Sequence, residues 1–342
     1  MAAPIFIVGA PRSGTTLLRN LLRSHPRLSF PEESHFIPLF YRTYGDPAND
    51  REALALGAAI LKLQFVRDWN LGLDAQIFAG LRSYADVVSR LFECWAEKEH
   101  KPRWGDKTPQ NVLHIPTLVG LFPECKILHI IRDGRDVALS WMRIGFGPKN
   151  VYTAAQAWKR YVSAGIQAGK DLPAGKGLPD NYREVRFELL LLRTEPILEE
   201  ICTFIGEQFD PRMLAPTPLP EPATRRYNLK VAAGDQFQAV MRRQTELDRS
   251  HREGWKSNMS KPQLATFESV AGELLTELNY PIAAVPRRIG PIERGCWLGH
   301  QLWLSLLWRL GSRNKIRWLA TDLQIRWAGL IGSLKRKRTR SE

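Results

Sequence analysis

The 342-residue sequence predicts an α/β fold of the P-loop type: three layers, with a central, mostly parallel sheet flanked by helices and a C-terminal helical basic tail. Two strand-to-helix junctions and one shift in composition carry that expectation. The first junction is the apolar run Ile5-Phe6-Ile7-Val8, then Gly9-Ala10-Pro11-Arg12-Ser13-Gly14-Thr15-Thr16, then Leu17, Leu18, Leu21 and Leu22 at helical spacing. The second is Ile127-Leu128-His129-Ile130-Ile131 ending in Arg132-Asp133-Gly134-Arg135, with Ser140 eight residues beyond Arg132 in the helix that follows. The shift comes after residue 286, where basic and tryptophan residues concentrate, so the chain divides into 1–286 and 287–342.

In the first junction, the spacing of Gly9 and Gly14 before two hydroxyl residues lets backbone N–H groups close around an oxyanion at a helix N-terminus. A glycine-bearing turn alone is also simply a tight turn, and the second junction gives it weight. A triphosphatase carries lysine after the second glycine, with a hydroxyl for magnesium next. Here Thr15 occupies the lysine position, and the positive charge has moved into the loop as Arg12, whose planar fork suits phosphate or sulfate. The pattern suits a donor of lower charge whose transferred group needs no metal. The rival is a kinase-like phosphotransferase in which Thr16 holds magnesium with Asp133 or Asp106. Arg132, at a strand's carboxyl end, and Ser140 are placed to hold a second phosphate in the same crevice.

Between the junctions, apolar spacing predicts helices at 52–66 and 84–99 and a helix at 110–121, with Thr108 as its N-cap and Pro109 as its first residue. A strand follows at 126–131, then a helix at 153–169, a loop from Asp171 to Asp180, a strand near 183–187 and a helix at 195–206. Five prolines between Pro211 and Pro222 exclude a regular element there. Helices are expected again at 235–249 and 261–278. There is no internal repeat, and no histidine, cysteine or carboxylate cluster has metal-ligand spacing.

Five segments in order carry a family likeness: Pro11-Arg12-Ser13-Gly14-Thr15-Thr16-Leu17, His25-Pro26, Glu32-Glu33-Ser34 with Ile37-Pro38, Asp106-Lys107-Thr108-Pro109, and Arg132-Asp133-Gly134-Arg135. In these the chain resembles the sulfotransferases that use 3'-phosphoadenosine 5'-phosphosulfate (PAPS), most of all their tyrosylprotein branch. The likeness spans about residues 4 to 145 and weakens through 182 to 206. It implies that Arg12, Ser13, Gly14, Thr15 and Thr16 hold the 5'-phosphosulfate, and that Arg132 and Ser140 hold the 3'-phosphate. It implies a metal-independent in-line transfer of sulfuryl to an acceptor hydroxyl, leaving adenosine 3',5'-bisphosphate.

Such a transfer needs a base for the acceptor proton and a cation for the leaving oxygen. The resemblance assigns these to Glu33 and Lys107; the neighbouring Glu32 raises the Glu33 pKa by like-charge repulsion if the two carboxylates approach. Without it, Glu32-Glu33 reads as a solvated acidic pair and Lys107 as an exposed partner of Asp106. His35 is a second candidate for base or acceptor contact. It stands where the tyrosylprotein enzymes carry arginine, which leaves peptide tyrosine, glycan and lipid hydroxyls all open as acceptors. The family often covers the 3'-phosphate with a basic, glycine-containing segment, for which Arg252, Trp255 and Lys256 are candidates here. His25, His100, His114 and His129 carry no site signal.

The formal net charge is +14, and residues 287–342 alone contain 13 basic and 3 acidic residues with five of the 11 tryptophans. Residues 296–310 are almost wholly apolar, 314–334 mix apolar with basic residues, and Lys335-Arg336-Lys337-Arg338 follows. That composition predicts contact with an anionic membrane surface through 296–340, against the alternative of helices packed on the core or in a dimer. Nucleic acid is not expected, because the aromatic residues lie within apolar runs. Cys94, Cys125, Cys202 and Cys296 are widely spaced, predicting reduced thiols. With a first strand starting almost at residue 1, the expected setting is cytoplasmic, with the tail as a peripheral attachment to the inner membrane face. The remaining alternative is a non-enzymatic membrane-associated protein on the same fold.

Overall fold

The computed structural model describes residues 2–144, 147–172, 180–215, 253–285 and 287–310. Strands β1 (Ile5–Gly9), β2 (Leu28–Ser29), β3 (Arg103–Lys107), β4 (Lys126–Ile131) and β5 (Tyr182–Arg186) form one sheet in the order β2-β3-β1-β4-β5. Every neighbouring pair is parallel. The central strand β1 pairs Ile7 with Lys107 on one side and Gly9 with Ile130 on the other. The carboxyl ends of β1, β3 and β4 therefore finish side by side, where a parallel sheet offers its ligand crevice.

The helices are α1 (Thr15–Arg23), α2 (Ile37–Tyr44), α3 (Asp50–Leu61), α4 (Gln64–Arg67), α5 (Tyr84–Lys98), α6 (Ile115–Leu121), α7 (Gly134–Met142) and α8 (Val151–Asp171). They continue as α9 (Phe187–Leu192), α10 (Thr194–Ile205), α11 (Trp255–Asn258), α12 (Lys261–Glu277) and α13 (Pro291–Leu310). Alternation along β1 makes the layers. Ile5 and Ile7 pack with Leu17, Leu18 and Leu21 of α1 and Leu198 and Ile201 of α10. Phe6 and Val8 face the opposite way, against a cluster holding Val87, Leu91 and Phe92 of α5. A third cluster joins Ala10 and Ile131 to α7, α8 and Phe267 of α12.

Several boundaries differ from expectation. The helix expected at 52–66 breaks at Leu63, which is extended, giving α3 and α4. The helix expected at 110–121 is a 3-10 turn over Pro109–His114 followed by α6, because Pro116 has no N–H to continue a helix and starts a new one. The proline-rich stretch opens with a 3-10 turn at Pro211–Leu214, where Asp210 accepts a hydrogen bond from the Arg212 N–H. The expected helix at 235–249, Pro216–Pro222 and the tail from 311 onward lie outside the described residues.

The first part of the tail docks on the body. The Asn150 side chain donates to the Trp297 carbonyl at 2.9 Å, and the Gln301 carboxamide oxygen accepts from the Lys149 N–H at 2.6 Å and the Thr153 hydroxyl at 3.0 Å. These bonds seat α13 on the N-terminal end of α8.

Candidate active site

The loop after β1 is shaped by two close approaches. A Cβ on Gly9 would stand 2.5 Å from the Ile130 carbonyl oxygen, and one on Gly14, at φ 97°, would stand 2.2 Å from the Phe187 ring. Neither position admits a side chain without movement. Arg12 is itself in the left-handed region, φ 78°, a conformation that costs about 1–2 kcal/mol for a residue with a Cβ. Gly14 caps α1 without a side-chain hydrogen bond, and the first turn of α1 holds no acidic residue. The positive end of that helix is thus open to an anion. The Ser13 hydroxyl is fully buried and has no hydrogen-bond partner, as expected of a donor placed for a group the loop encloses.

The second junction meets the first directly. Arg12 Nε donates to the Ser140 hydroxyl at 3.0 Å, and Arg132 Nη1 donates to the Arg12 carbonyl at 3.3 Å. The Arg132 guanidinium lies 4.5 Å from the Phe187 ring centroid, so Phe187 forms a wall shared by Gly14 and Arg132. Asp136 pairs with Arg132 at 3.9 Å and accepts from the Trp255 N–H at 2.8 Å; burial pushes its carboxyl up to about 6 against the Arg132 charge. That bond brings the chain at α11 to the second junction. Lys256 there is exposed and pairs with Glu253, while Arg252 lies outside the described residues.

The N-terminus of α7 is sealed. Asp133 accepts from the Arg135 N–H at 2.9 Å and grips the Arg135 guanidinium at 2.7 and 3.0 Å. Arg135 also donates to Glu268 and the Pro281 carbonyl, both at 2.7 Å, and lies 3.6 Å from the Trp255 ring centroid.

At the end of β3, Lys107 is 1% exposed and its ammonium contacts the Glu33 carboxylate; the same ammonium is 3.5 Å from the Thr16 hydroxyl. His35 Nε2 sits 3.0 Å from the other Glu33 oxygen, with His35 in the left-handed region at φ 56°. The structure corrects the expectation for Glu32. It turns away to pair with Arg19 at 3.0 Å and does not press on Glu33. Burial works to raise the Glu33 pKa, but the Lys107 charge and the His35 hydrogen bond outweigh it and hold the carboxyl well below its usual range. Burial pulls Lys107 down, opposed by Glu33.

Thr108 is corrected as well. It precedes the 3-10 turn but does not cap it; its hydroxyl donates to Asp106 at 3.0 Å and accepts from the Ser34 N–H at 3.1 Å. Asp106 also accepts from Asn111 at 3.1 Å, and burial raises its carboxyl to about 6. This network ties the Glu33–His35 loop to β3. Asp106 is thus committed to Thr108 and Asn111 and does not pair with Lys107.

His129 and His25 are held within the body, away from the Glu33–Lys107 pair. His129 is buried against the Tyr182 hydroxyl at 2.6 Å, and burial lowers its pKa to about 3. His25 contacts the Gln208 carbonyl at 2.9 Å. Among the described residues, no group of three or more histidine, cysteine or carboxylate side chains is arranged to hold a metal ion.

The sheet order, the open loop and the second junction define a P-loop-like α/β fold. The same fold occurs in the sulfotransferase domain from the curacin biosynthetic pathway, with a TM-score of 0.57 and 22% identity over 83% of this chain and 99% of that one. The sulfotransferase domain of the Synechococcus PCC 7002 olefin synthase gives 0.51 and 23% over 79% and 96%. The model of the sulfotransferase family matches residues 4–211, and this chain belongs to that family. Protein-tyrosine sulfotransferase A of Caenorhabditis elegans is 29% identical over 61% of this chain and 51% of its own length. Protein-tyrosine sulfotransferase of Drosophila melanogaster is 26% identical over 61% of this chain and 39% of its own. The nodulation protein NoeE of Sinorhizobium fredii is 25% identical over 85% and 69%. The chain thus spans about half or less of the C. elegans and Drosophila relatives.

Proposed function

We propose that this chain transfers a sulfuryl group from PAPS to an acceptor hydroxyl. One observation carries the reading: the buried Lys107 ammonium touches Glu33 and is 3.5 Å from Thr16, so base, cation and phosphate loop share one point. The orphaned Ser13 hydroxyl and the open α1 terminus fit an anionic donor. Arg12, Ser13, Gly14, Thr15 and Thr16 would hold its 5'-phosphosulfate, and Arg132 and Ser140 its 3'-phosphate, with Trp255 and Lys256 nearby. The donor, when bound, supplies the sulfuryl group. Glu33 accepts the proton of the acceptor hydroxyl as the new oxygen–sulfur bond forms, and Lys107 steadies the charge left on the 5'-phosphate oxygen. His35 holds the second Glu33 oxygen and aims the first.

The carboxylates that a magnesium triphosphate reading needs are committed elsewhere, Asp133 to Arg135 and Asp106 to Thr108 and Asn111. The relatives named protein-tyrosine sulfotransferases favour a peptide tyrosine as acceptor; a glycan or lipid hydroxyl is the alternative, with His35 compatible with each. Incubation with labelled PAPS and separate peptide, glycan and lipid fractions decides among them by which fraction takes label. Tight binding of magnesium-ATP together with failure to bind adenosine 3',5'-bisphosphate overturns the donor assignment.

A further inference from the structure

The C-terminal helix α13 presents one face to the body and the opposite face to solvent, and the two differ in chemistry. Trp297 and Gln301 face the body, bound to Asn150, Lys149 and Thr153. At 100° per residue, Leu302, Leu306, Ile292 and Trp303 lie on the far side, with Leu298 at its edge. These are large apolar side chains in the open: Ile292 is 85% exposed, Leu302 71%, Trp303 59%, Leu306 49% and Leu298 46%. Scattered apolar residues are ordinary on a surface, but a contiguous stripe along one helix face marks a contact.

Charge decides what makes the contact. No charged residue falls between Arg294 and Arg309, whereas residues 311–342 carry nine basic and two acidic residues. A second copy packed parallel on this face would bring two cationic termini together, and one packed antiparallel would leave both without a counter-charge. A cover made from this chain's own 314–334 would leave the same excess of positive charge facing water. A partner with an apolar interior and an anionic rim satisfies both the stripe and the charge that follows it. No described helix is long and apolar enough to cross a bilayer; an amphipathic helix lying in the interface would put Trp303 at headgroup depth.

We propose that α13 is a membrane-docking helix that inserts Leu298, Leu302, Trp303 and Leu306 into an anionic phospholipid surface, whose charge complements the basic composition of the sequence after 310. Its seat on α8 then fixes how the catalytic body stands on the membrane. The inference is independent of the donor and of the acceptor.

The test is flotation of the full chain with vesicles of equal parts phosphatidylcholine and phosphatidylglycerol, against phosphatidylcholine alone. The expected result is binding to the anionic vesicles that falls about tenfold or more in L302E/L306E. These residues are exposed, and an unchanged melting temperature checks that the variant is folded. As an independent readout, an environment-sensitive fluorophore on Leu302→Cys, in a Cys296→Ser background, shifts to the blue only when anionic vesicles are added. Equal binding by wild type and the double variant overturns the helix face in favour of the basic terminus alone. Equal binding to neutral vesicles overturns the role of charge. A fluorophore already blue-shifted without lipid, or a dimer that L302E dissolves, shows the face covered by this chain or by a second copy.

Discussion

The loop after β1 and the junction after β4 are neighbours in the sheet, Gly9 beside Ile130, and each delivers a strand into a helix. They treat the helix N-terminus in opposite ways. At α1 the cap is Gly14, with no side-chain bond and no acid in the first turn; at α7 the cap is Asp133, whose carboxylate takes the Arg135 N–H. The open terminus meets no side-chain acceptor of its own, while at the sealed one the Asp133 carboxylate takes the Arg135 N–H and puts a negative charge at the helix end. Similar topology thus gives the crevice two walls of different kind, one of backbone donors at a helix end and one of side chains, which under the proposed function would take the two phosphate ends of the donor. The capping residue makes the difference.

The comparison can be broken most severely at the reacting groups beside the open terminus. Glu33→Gln is expected to lower kcat by about 10²–10⁴-fold while leaving the affinity for adenosine 3',5'-bisphosphate within a few fold; an unchanged kcat removes Glu33 as the base. Unsealing α7 acts on stability. Asp133→Ala removes the bidentate partner of the fully buried Arg135, which keeps Glu268, and is expected to cost about 1.5–3 kcal/mol in denaturant unfolding.

Sealing α1 tests the converse. Ser13→Asp puts a carboxylate into the loop and is expected to weaken bisphosphate binding roughly hundredfold by calorimetry, read below the variant's own melting temperature because the position is fully buried. Retained affinity denies the loop its anion. Thr108→Val cuts the tie between β3 and the Glu33 loop and is expected to cost about 1–3 kcal/mol. Its kcat falls with KM for donor unchanged if Thr108 positions Glu33.

The most gradual effect is in pH. Burial raises Asp106 from 3.8 to about 6, so between those values the folded state binds more protons than the unfolded one. Stability from this group is therefore present at low pH and falls as pH rises through that window, by up to about 1.4 kcal/mol per pH unit. Asp136, also raised to about 6, adds to the fall. Glu33 is lowered and acts oppositely, its contribution being lost only as pH drops below the usual carboxylate range. Asp106→Asn flattens part of the decline in melting temperature across pH 4 to 6; an unaltered slope refutes the assignment.

Much of the site was legible along the chain because its parts sit at strand ends, where apolar runs stop and polar turns begin. Arg12, Ser13 and Gly14 were visible as a loop, and Arg132 and Ser140 as the next junction. What was not legible are pairings across long separations. Glu32 and Glu33 look alike in sequence, yet Arg19 takes one and Lys107 the other, which reverses the expected direction of the Glu33 shift. Thr108 looks like a helix cap because it precedes a proline, but the Ser34 N–H, 74 residues away, claims its hydroxyl. Phe187 carries no polar signal at all, and its role as the wall between Gly14 and Arg132 exists only after β5 has paired with β4.

The sequence by itself determined the strand-to-helix turns, the open cap at Gly14, the missing loop lysine and the basic, tryptophan-rich end, because each is a local matter of backbone freedom, periodicity or composition. Tertiary structure alone decided that Lys107 faces Glu33, that Arg12 reaches Ser140, and that α13 keeps its apolar stripe outward. Those outcomes depend on strand register and helix docking, which set the distances between groups far apart in the chain, and on burial, which sets how strongly such groups act on one another.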